Sequence, residues 1–466
     1  MGTRAVPSGR LVLVGAVIVG WILMGRLVLP GIRWYFRRRS KGVARAANRR
    51  LRLRIPSFKM TRRRMLVERL MRDPAVLEAI EEHSREEGVP QVVVAVRAER
   101  YAREIVPTFN AYLYFRVGIP LAGLLSRALY QVRVGGAEWE RSEAVDEDAS
   151  VVFVMNHRSN MDYVVLAYLT AERAALSYAA GEWARFWPLG AFVRAMGAFF
   201  VRRGSGDALY RRVLERFVQM AVEGGLTQVV FPEGGLSRDG ALREPKTGLL
   251  DYMLRRFDPA GGRDLVFVPV AIDYDWVLED ESLLELGVSG PSHGRTTAST
   301  AVSVIRKIQL VLRCRRLARA AVNFGNPISA REYASAHDVD FRALGREERV
   351  ERVRILARAL MQTIGEIMPV VPVPVIARIF VRDPRGVLSA SETTARTQAL
   401  MSDLQERDST SPLKGSDLEA ALRLLTVRRL LNVDRDLFRV APGSQKLLRY
   451  YANAISHLFE PEQKTF

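Results

Sequence analysis

The spacing of apolar and polar positions divides the chain into stretches with different periods. Leu11 to Gly25 (LVLVGAVIVGWILMG) is an unbroken apolar run, and LVLPGI extends it past Arg26 to Ile32. From Pro56 to about Gly136 apolar residues recur every three or four positions, as in MLVERLMRDPAVLEAIEEHSREEG and VVVAVRAERYAREIVPTFNAYLYF, which predicts amphipathic helices. Tyr112 to Tyr130 (YLYFRVGIPLAGLLSRALY) is unusually apolar but interrupted by Arg116 and Arg127. It reads as a core helix, with an interfacial helix as the alternative.

At Ser150 the pattern changes. VVFVM, TQVVFP and DLVFVPVAI are β-rich runs of strand length, separated by helical stretches such as ALYRRVLERFVQMAVEGG, whose two glycines form a C-terminal stop. This alternation to about Ser329 predicts an α/β domain with a largely parallel sheet flanked by helices. Pro269, inside its strand, suggests an edge position or a strand end. Beyond AVNFGNPIS the chain turns helical again. There PVVPVPVIARIF (Pro369 to Phe380) reads as a Pro-broken apolar connector and LQERDSTSPLKGSD as a polar loop. LEAALRLLTVRRLLNVDRDLFRV reads as a helix followed by a hairpin. The predicted organisation is therefore an N-terminal anchor with a basic juxtamembrane segment (1–55), a helical region (56–149), the α/β domain (150–330) and a mainly helical C-terminal region (331–466).

Charge gives the first apolar run its meaning. Fifteen helical residues reach only about 22 Å, short of a bilayer core of roughly 30 Å. Leu27 to Ile32 supply the missing length if Arg26 snorkels. Ten Lys or Arg lie from Arg33 to Arg54, against two before Leu11, which predicts a cytoplasmic location for everything after the run. The same basic stretch suits anionic lipid headgroups. A secretory signal is the competing reading, but no small-x-small cleavage site follows. The formal charge of the whole chain is +19, which calls for an anionic partner of some kind: membrane, phosphorylated substrate or nucleic acid. A hydrophobic content of 48% excludes a disordered chain, and the lone cysteine, Cys314, excludes an intramolecular disulfide.

The candidate chemistry starts in VVFVMNHRSNMDYVVLAYL, Val151 to Leu169, where a polar island holding His157 and Asp162 separates two apolar shoulders. On one continuous helix residues five apart diverge by about 140°. If His157 sits in a strand-to-helix turn and Asp162 opens the helix, the two side chains meet and the carboxylate fixes the imidazole tautomer. Three further blocks follow in the same region: GAFFVRR (Gly197 to Arg203), FPEGGLSRDG (Phe231 to Gly240) and VFVPVAIDYD. Each alone has an ordinary structural reading; together and in this order they form a specific signature.

These blocks resemble those of the glycerolipid acyltransferases: NHxxxxD, GxxFxRR, FPEGxxSR and VPV. HRSNMDY, AAGEWARFWPLGAFVRAMGAFFVRR, EPKTGLLDYML, VNFGNPIS and YYANAISHLF resemble the glycerol-3-phosphate and dihydroxyacetone-phosphate branch. The resemblance covers most of the chain after about residue 90. It implies an α/β acyltransferase domain that transfers a fatty acyl group from acyl-CoA or acyl-carrier protein to the 1-hydroxyl of glycerol 3-phosphate, the first step of phospholipid synthesis. It further implies His157 as general base, with an unperturbed pKa of about 6.5 suited to the task, and Asp162 as its orienting group. Arg202 or Arg203, Arg238 and Lys246 are implied as phosphate ligands, with Glu233 and Gly234 shaping the acceptor side. It implies neither a cofactor nor a metal, the thioester being already activated. One position departs: Leu236 stands where this branch commonly has Arg, which leaves dihydroxyacetone phosphate, a lysophospholipid or a glycolipid open as the acceptor. A membrane-tethered nucleic-acid-binding protein with a winged-helix-like tail is the alternative from another class. The basic residues crowd beside the apolar run instead, and no aromatic stacking platform is evident, so nucleic acid is not expected as a partner.

Overall fold

The computed structural model describes residues 29–136, 148–181, 189–202, 204–289, 317–406 and 415–459, together with 145, 146, 310, 313 and 314. The apolar run up to residue 28, Arg203 and most of the polar loop at 407–414 lie outside the described residues. Among the described residues, no helix is long and apolar enough to cross a membrane.

Most of the basic stretch lies on the helix Leu29–Asn48. It is pinned where Ser40 Oγ accepts the Ala111 N–H at 3.0 Å. The period-3.6 pattern then yields Arg63–Met71, Pro74–Glu87 and Gln91–Ile105. Pro74–Glu87 shows why its ends fall where they do. Asp73 caps the Ala75 N–H, Pro74 occupies the first turn, where its missing donor costs nothing, and Gly88 closes the helix at φ 65°.

Tyr112 to Tyr130 is not a core helix. A π-helical turn, Tyr114–Gly118, leads into the helix Ile119–Leu129, which buries Ala122, Gly123, Ser126 and Leu129. Its other face leaves Val117, Leu121, Leu124 and Leu125 between 39% and 61% exposed. The buried side of the helix packs on the helix Asp162–Leu169.

The helical reading also fails just before Gly136. Gln131–Gly135 is a strand, β1, whose alternation is too short and too polar to stand out beside the apolar helix before it. The remaining strands of the main sheet are β2 (Ser150–Met155), β3 (Ser177–Ala180), β4 (Phe199–Phe200), β5 (Gln228–Val230), β6 (Leu265–Tyr274), β7 (Arg319–Phe324) and β8 (Ile328–Ser329). Their order is β1-β7-β6-β2-β5-β3-β4, with β8 also paired to β6. Strands β6, β2, β5, β3 and β4 run parallel, whereas β7 and β8 oppose β6. The sheet is thus mixed, mostly parallel and flanked by helices.

Every residue of β2 and β6 is buried, as expected of central strands covered on both faces. Val151, Phe153 and Met155 pack toward one core, with the helices Pro372–Arg382 and Gln445–Asn453; Val152 and Val154 pack toward the other, with Ala208–Glu223 and Arg346–Glu366. Pro269 therefore lies in the middle of a central strand, not at an edge. It is tolerated because β6 changes partner there. Residues 266 and 267 pair with β8, residues 270 to 274 pair with β7, and no neighbour on that side asks Pro269 for an N–H. Its carbonyl still accepts Gly325 N–H at 2.9 Å.

In the C-terminal region the supposed connector is an eleven-residue helix, Pro372–Arg382. Pro372 and Pro374 fall in its first turn, where they start a helix instead of breaking one. The helix Gly415–Val427 is followed by the expected hairpin, β10 (Leu431–Asp434) and β11 (Leu437–Val440). A third strand, β9 (Val387–Ser389), pairs with β11.

Candidate active site

β2 ends at Met155 and the next helix begins with Asp162, so His157 stands in the intervening turn at the C-terminal edge of the parallel strands, where α/β sheets hold their ligands. His157 Nδ1 is 2.8 Å from Asp162 Oδ2. The carboxylate, fully buried, also accepts the backbone N–H of Arg158 (2.8 Å) and Ser159 (3.1 Å), and the hydroxyl of Tyr274 (2.8 Å) at Oδ1. A carboxylate surrounded by donors acts as acceptor, so Nδ1 donates to it and Nε2 is left facing away from Asp162. Nε2 has no hydrogen-bond partner among the described residues.

The turn is held from several sides. Asn156 bridges to β6, donating to Ile272 O (2.9 Å) and accepting its N–H (2.8 Å). Glu279 accepts Ser159 Oγ (2.8 Å) and the Asn160 backbone N–H (3.2 Å). The ring of Phe231 stacks on the imidazole, 4.0 Å between centroids and 25° between planes. Arg158, Phe231 and Tyr274 stand inside the sequence motifs and Glu279 a few residues beyond the last, with no spacing that marks them.

The FPEG turn follows β5 and brings Glu233 against the His157–Asp162 pair. Its Oε1 accepts the His157 backbone N–H at 2.9 Å, and Ser237 N–H returns a bond to His157 O at 3.0 Å. Glu233 is 2% exposed, and its Oε2 is buried without a hydrogen-bond partner. Burial pushes its carboxyl up to about 7, against the pull of the His157 N–H and the Arg158 charge.

Phe231, which stacks on His157, also lines a cleft of about 290 Å³ together with Arg202, Arg211, Gly234 and Lys246. Gly234 lies at φ 70°, a backbone conformation that favours glycine, and the outer part of the Lys246 side chain passes over it. Lys246 is exposed and makes no ion pair with a described residue. Arg202 is different. Its fork closes on Glu104 of the helix Gln91–Ile105 at 2.9 and 2.6 Å, and that bidentate partner raises its pKa. Arg211, on the helix Ala208–Glu223, is a further cation in the cleft that no motif marked. Arg238 is exposed on the turn after Ser237 and does not line this cleft. Leu236 is half-buried and packs on the same core as β2. Of the site residues read from the sequence, the fold thus gathers His157, Asp162 and Glu233 at one point, and Arg202, Gly234 and Lys246 around the adjoining cleft.

Comparison with known proteins bears on this arrangement. The acyltransferase family model matches residues 136–273, and that of the glycerol-3-phosphate acyltransferase C-terminal region matches 303–462. A glycerol-3-phosphate acyltransferase of Aeromonas hydrophila is 31% identical over 433 residues, 90% of this chain and 52% of the relative. The chain carries an acyltransferase-family domain followed by a glycerol-3-phosphate acyltransferase C-terminal region. Two further proteins named glycerol-3-phosphate acyltransferase, from Actinobacillus succinogenes and Pseudomonas aeruginosa, are 29% identical over 86% and 89% of this chain, and over 50% and 51% of their own lengths. The chain spans about half the length of the curated relatives it matches. The crystal structure of a 1-acyl-sn-glycerophosphate acyltransferase from Thermotoga maritima aligns with 64% of this chain and 96% of its own, at 17% identity and a TM-score of 0.30. The helix-and-hairpin tail lies within the matched C-terminal region.

Proposed function

We propose that the chain transfers a fatty acyl group from a thioester donor, acyl-CoA or acyl-carrier protein, to the 1-hydroxyl of glycerol 3-phosphate. The observation that carries this reading is the His157–Asp162 pair next to a cleft lined by Lys246, with neither Nε2 nor the Lys246 ammonium partnered among the described residues.

Nε2 takes the proton of the acceptor hydroxyl as its oxygen attacks the thioester carbonyl carbon. Asp162 holds the imidazole in the required tautomer and stabilises the imidazolium that forms. When the C–S bond breaks, the proton passes from Nε2 to the departing sulfur. The products are the acylated glycerol phosphate and a free thiol. Lys246 and Arg211 meet the acceptor phosphate, with Arg202 held ready by Glu104. The catalytic pair itself calls for no metal or cofactor, since base and activated ester suffice.

The reaction site belongs at a membrane, with this domain on the cytoplasmic face. Two features support that reading beside the apolar run and its asymmetric charge. The exposed apolar face of Val117, Leu121, Leu124 and Leu125 lies beside the exposed Arg116 and Arg127. A groove of about 930 Å³ near it is lined by Arg49, Arg50, Arg52, Arg116 and Arg173, a match for anionic lipid headgroups.

The test is a purified-protein assay of thiol release with one acyl-CoA and four acceptors: glycerol 3-phosphate, dihydroxyacetone phosphate, a lysophospholipid and a glycolipid. Preference for glycerol 3-phosphate supports the proposal. Preference for an unphosphorylated acceptor would mean that Leu236 marks a rebuilt acceptor site.

A further inference from the structure

Arg158 follows His157 directly, yet its side chain leaves the site. It is 3% exposed and runs to three places: the Gly240 carbonyl, Asp273 Oδ1 on β6 at 3.2 Å, and the ring of Tyr450, whose centroid lies 5.3 Å from the guanidinium carbon. Tyr450 belongs to the helix Gln445–Asn453, nearly three hundred positions along the chain. The same helix presses on Gly240 with its backbone. Gly240 has φ +88°, and a Cβ there would fall 1.8 Å from the Tyr450 carbonyl oxygen. Asn453 Nδ2 adds a bond to Asp239 O at 2.9 Å. The turn so clamped begins with Ser237, whose N–H holds the His157 carbonyl.

We propose that Arg158 is a positioning residue through which the C-terminal helix Gln445–Asn453 fixes the turn carrying His157 and the 237–241 turn bonded to it. The inference rests on the acyl-transfer reading of that site. A buried ion pair such as Arg158–Asp273 adds little net stability over well-packed apolar side chains, because both charges lose their hydration. What it does add here is direction. One planar cation ties β6, the 237–241 turn and the C-terminal helix to the residue beside the base. Its charge also opposes the effect of burial on Glu233, keeping that carboxyl ionisable near neutral pH. The face of Tyr450 is the part that counts, since its hydroxyl is buried without a partner among the described residues.

The experiment uses the full chain in detergent–lipid micelles and compares Tyr450→Leu, Tyr450→Phe, Arg158→Lys and Arg158→Gln, reading kcat and KM for each substrate together with hydrogen exchange. Tyr450→Leu should lower kcat about tenfold, the scale of a slightly misplaced catalytic group, with the donor KM within about twofold. Exchange should quicken in residues 157–162 and 237–241 while β2 and β6 stay protected. Tyr450→Phe, which keeps the ring, should retain wild-type rates. Arg158→Lys should recover part of the kcat lost in Arg158→Gln. A folded Tyr450→Leu protein with unchanged kcat and unchanged exchange in both turns overturns the proposal, whether or not the Arg158 variants fold. If the wild-type chain turns over no acceptor, the acyl-transfer reading fails by itself, and exchange in the two turns still decides whether the helix holds them.

Discussion

The ring of Phe231 lies 4.0 Å from that of His157 and nearly parallel to it, while Phe231 also forms part of the wall of the cleft holding Lys246. One side chain thus braces the proposed base and bounds the proposed phosphate subsite. Phe231→Ala frees the imidazole to leave its bond to Asp162, so kcat should fall about ten- to a hundredfold, the cost of a catalytic group left about 1 Å out of place. Phe231→Tyr keeps the plane and should fall far less. Steady-state kinetics of the two variants check this, and equal losses would contradict the bracing role.

Glu233 makes stability depend on pH in a definite direction. Its folded carboxyl titrates at about 7, above the ordinary 4.5, so between those values the folded chain binds more protons than the unfolded one. Stability therefore falls as pH rises from 4.5 to 7, with a total cost on the order of 3 kcal/mol from this group. Glu233→Gln keeps an acceptor for the His157 N–H and removes the ionisation. It should unfold at a higher temperature than wild type at pH 8 and show little gain at pH 5, in thermal scans at both pH values.

The cations around the cleft should differ in weight. Lys246 lines it without an ion pair among the described residues, so Lys246→Ala should raise the KM for glycerol 3-phosphate about ten- to a hundredfold, the equivalent of a charge-assisted bond of roughly 1.5–3 kcal/mol. Arg238, exposed and outside this cleft, should matter less. Leu236→Arg would replace a side chain packed on the core and should lower the unfolding temperature. A larger KM effect at Arg238 than at Lys246 would place the phosphate elsewhere on the FPEG turn.

Attachment to lipid should be shared between two features. Removing residues 1–54 takes away the apolar run and its basic flank, and sedimentation with anionic vesicles should drop sharply. Leu121→Ser with Leu124→Ser should reduce what remains, because those side chains form the exposed apolar face. Full sedimentation of the truncated protein in high salt would contradict the N-terminal anchor.

Much of the catalytic end of the molecule was legible in the residues. The apolar shoulders of NHRSNMD read as strand and helix because β2 is buried on both faces and the polar island can only be a turn. Asp162 meets His157 because the helix begins at Asp162. What escaped notice came from partners distant in the chain. Glu104 takes Arg202, Tyr274 completes the cage around Asp162, and Tyr450 reaches Arg158, none of which local spacing can show. Pro269 and the proline-rich segment at Pro372 misled for one shared reason. Proline forbids a backbone donor, but whether a donor is wanted depends on the neighbour, and at both positions none is.

The central claim is that His157 Nε2 is the base of an acyl transfer. The most direct measurement is single-turnover thiol release from acyl-CoA in the presence of glycerol 3-phosphate, for wild type and a folded His157→Ala protein. The loss of a positioned general base predicts a rate lower by at least about a hundredfold in the variant, at unchanged thermal stability within a few degrees. Transfer at a near wild-type rate by the folded variant would contradict the mechanism.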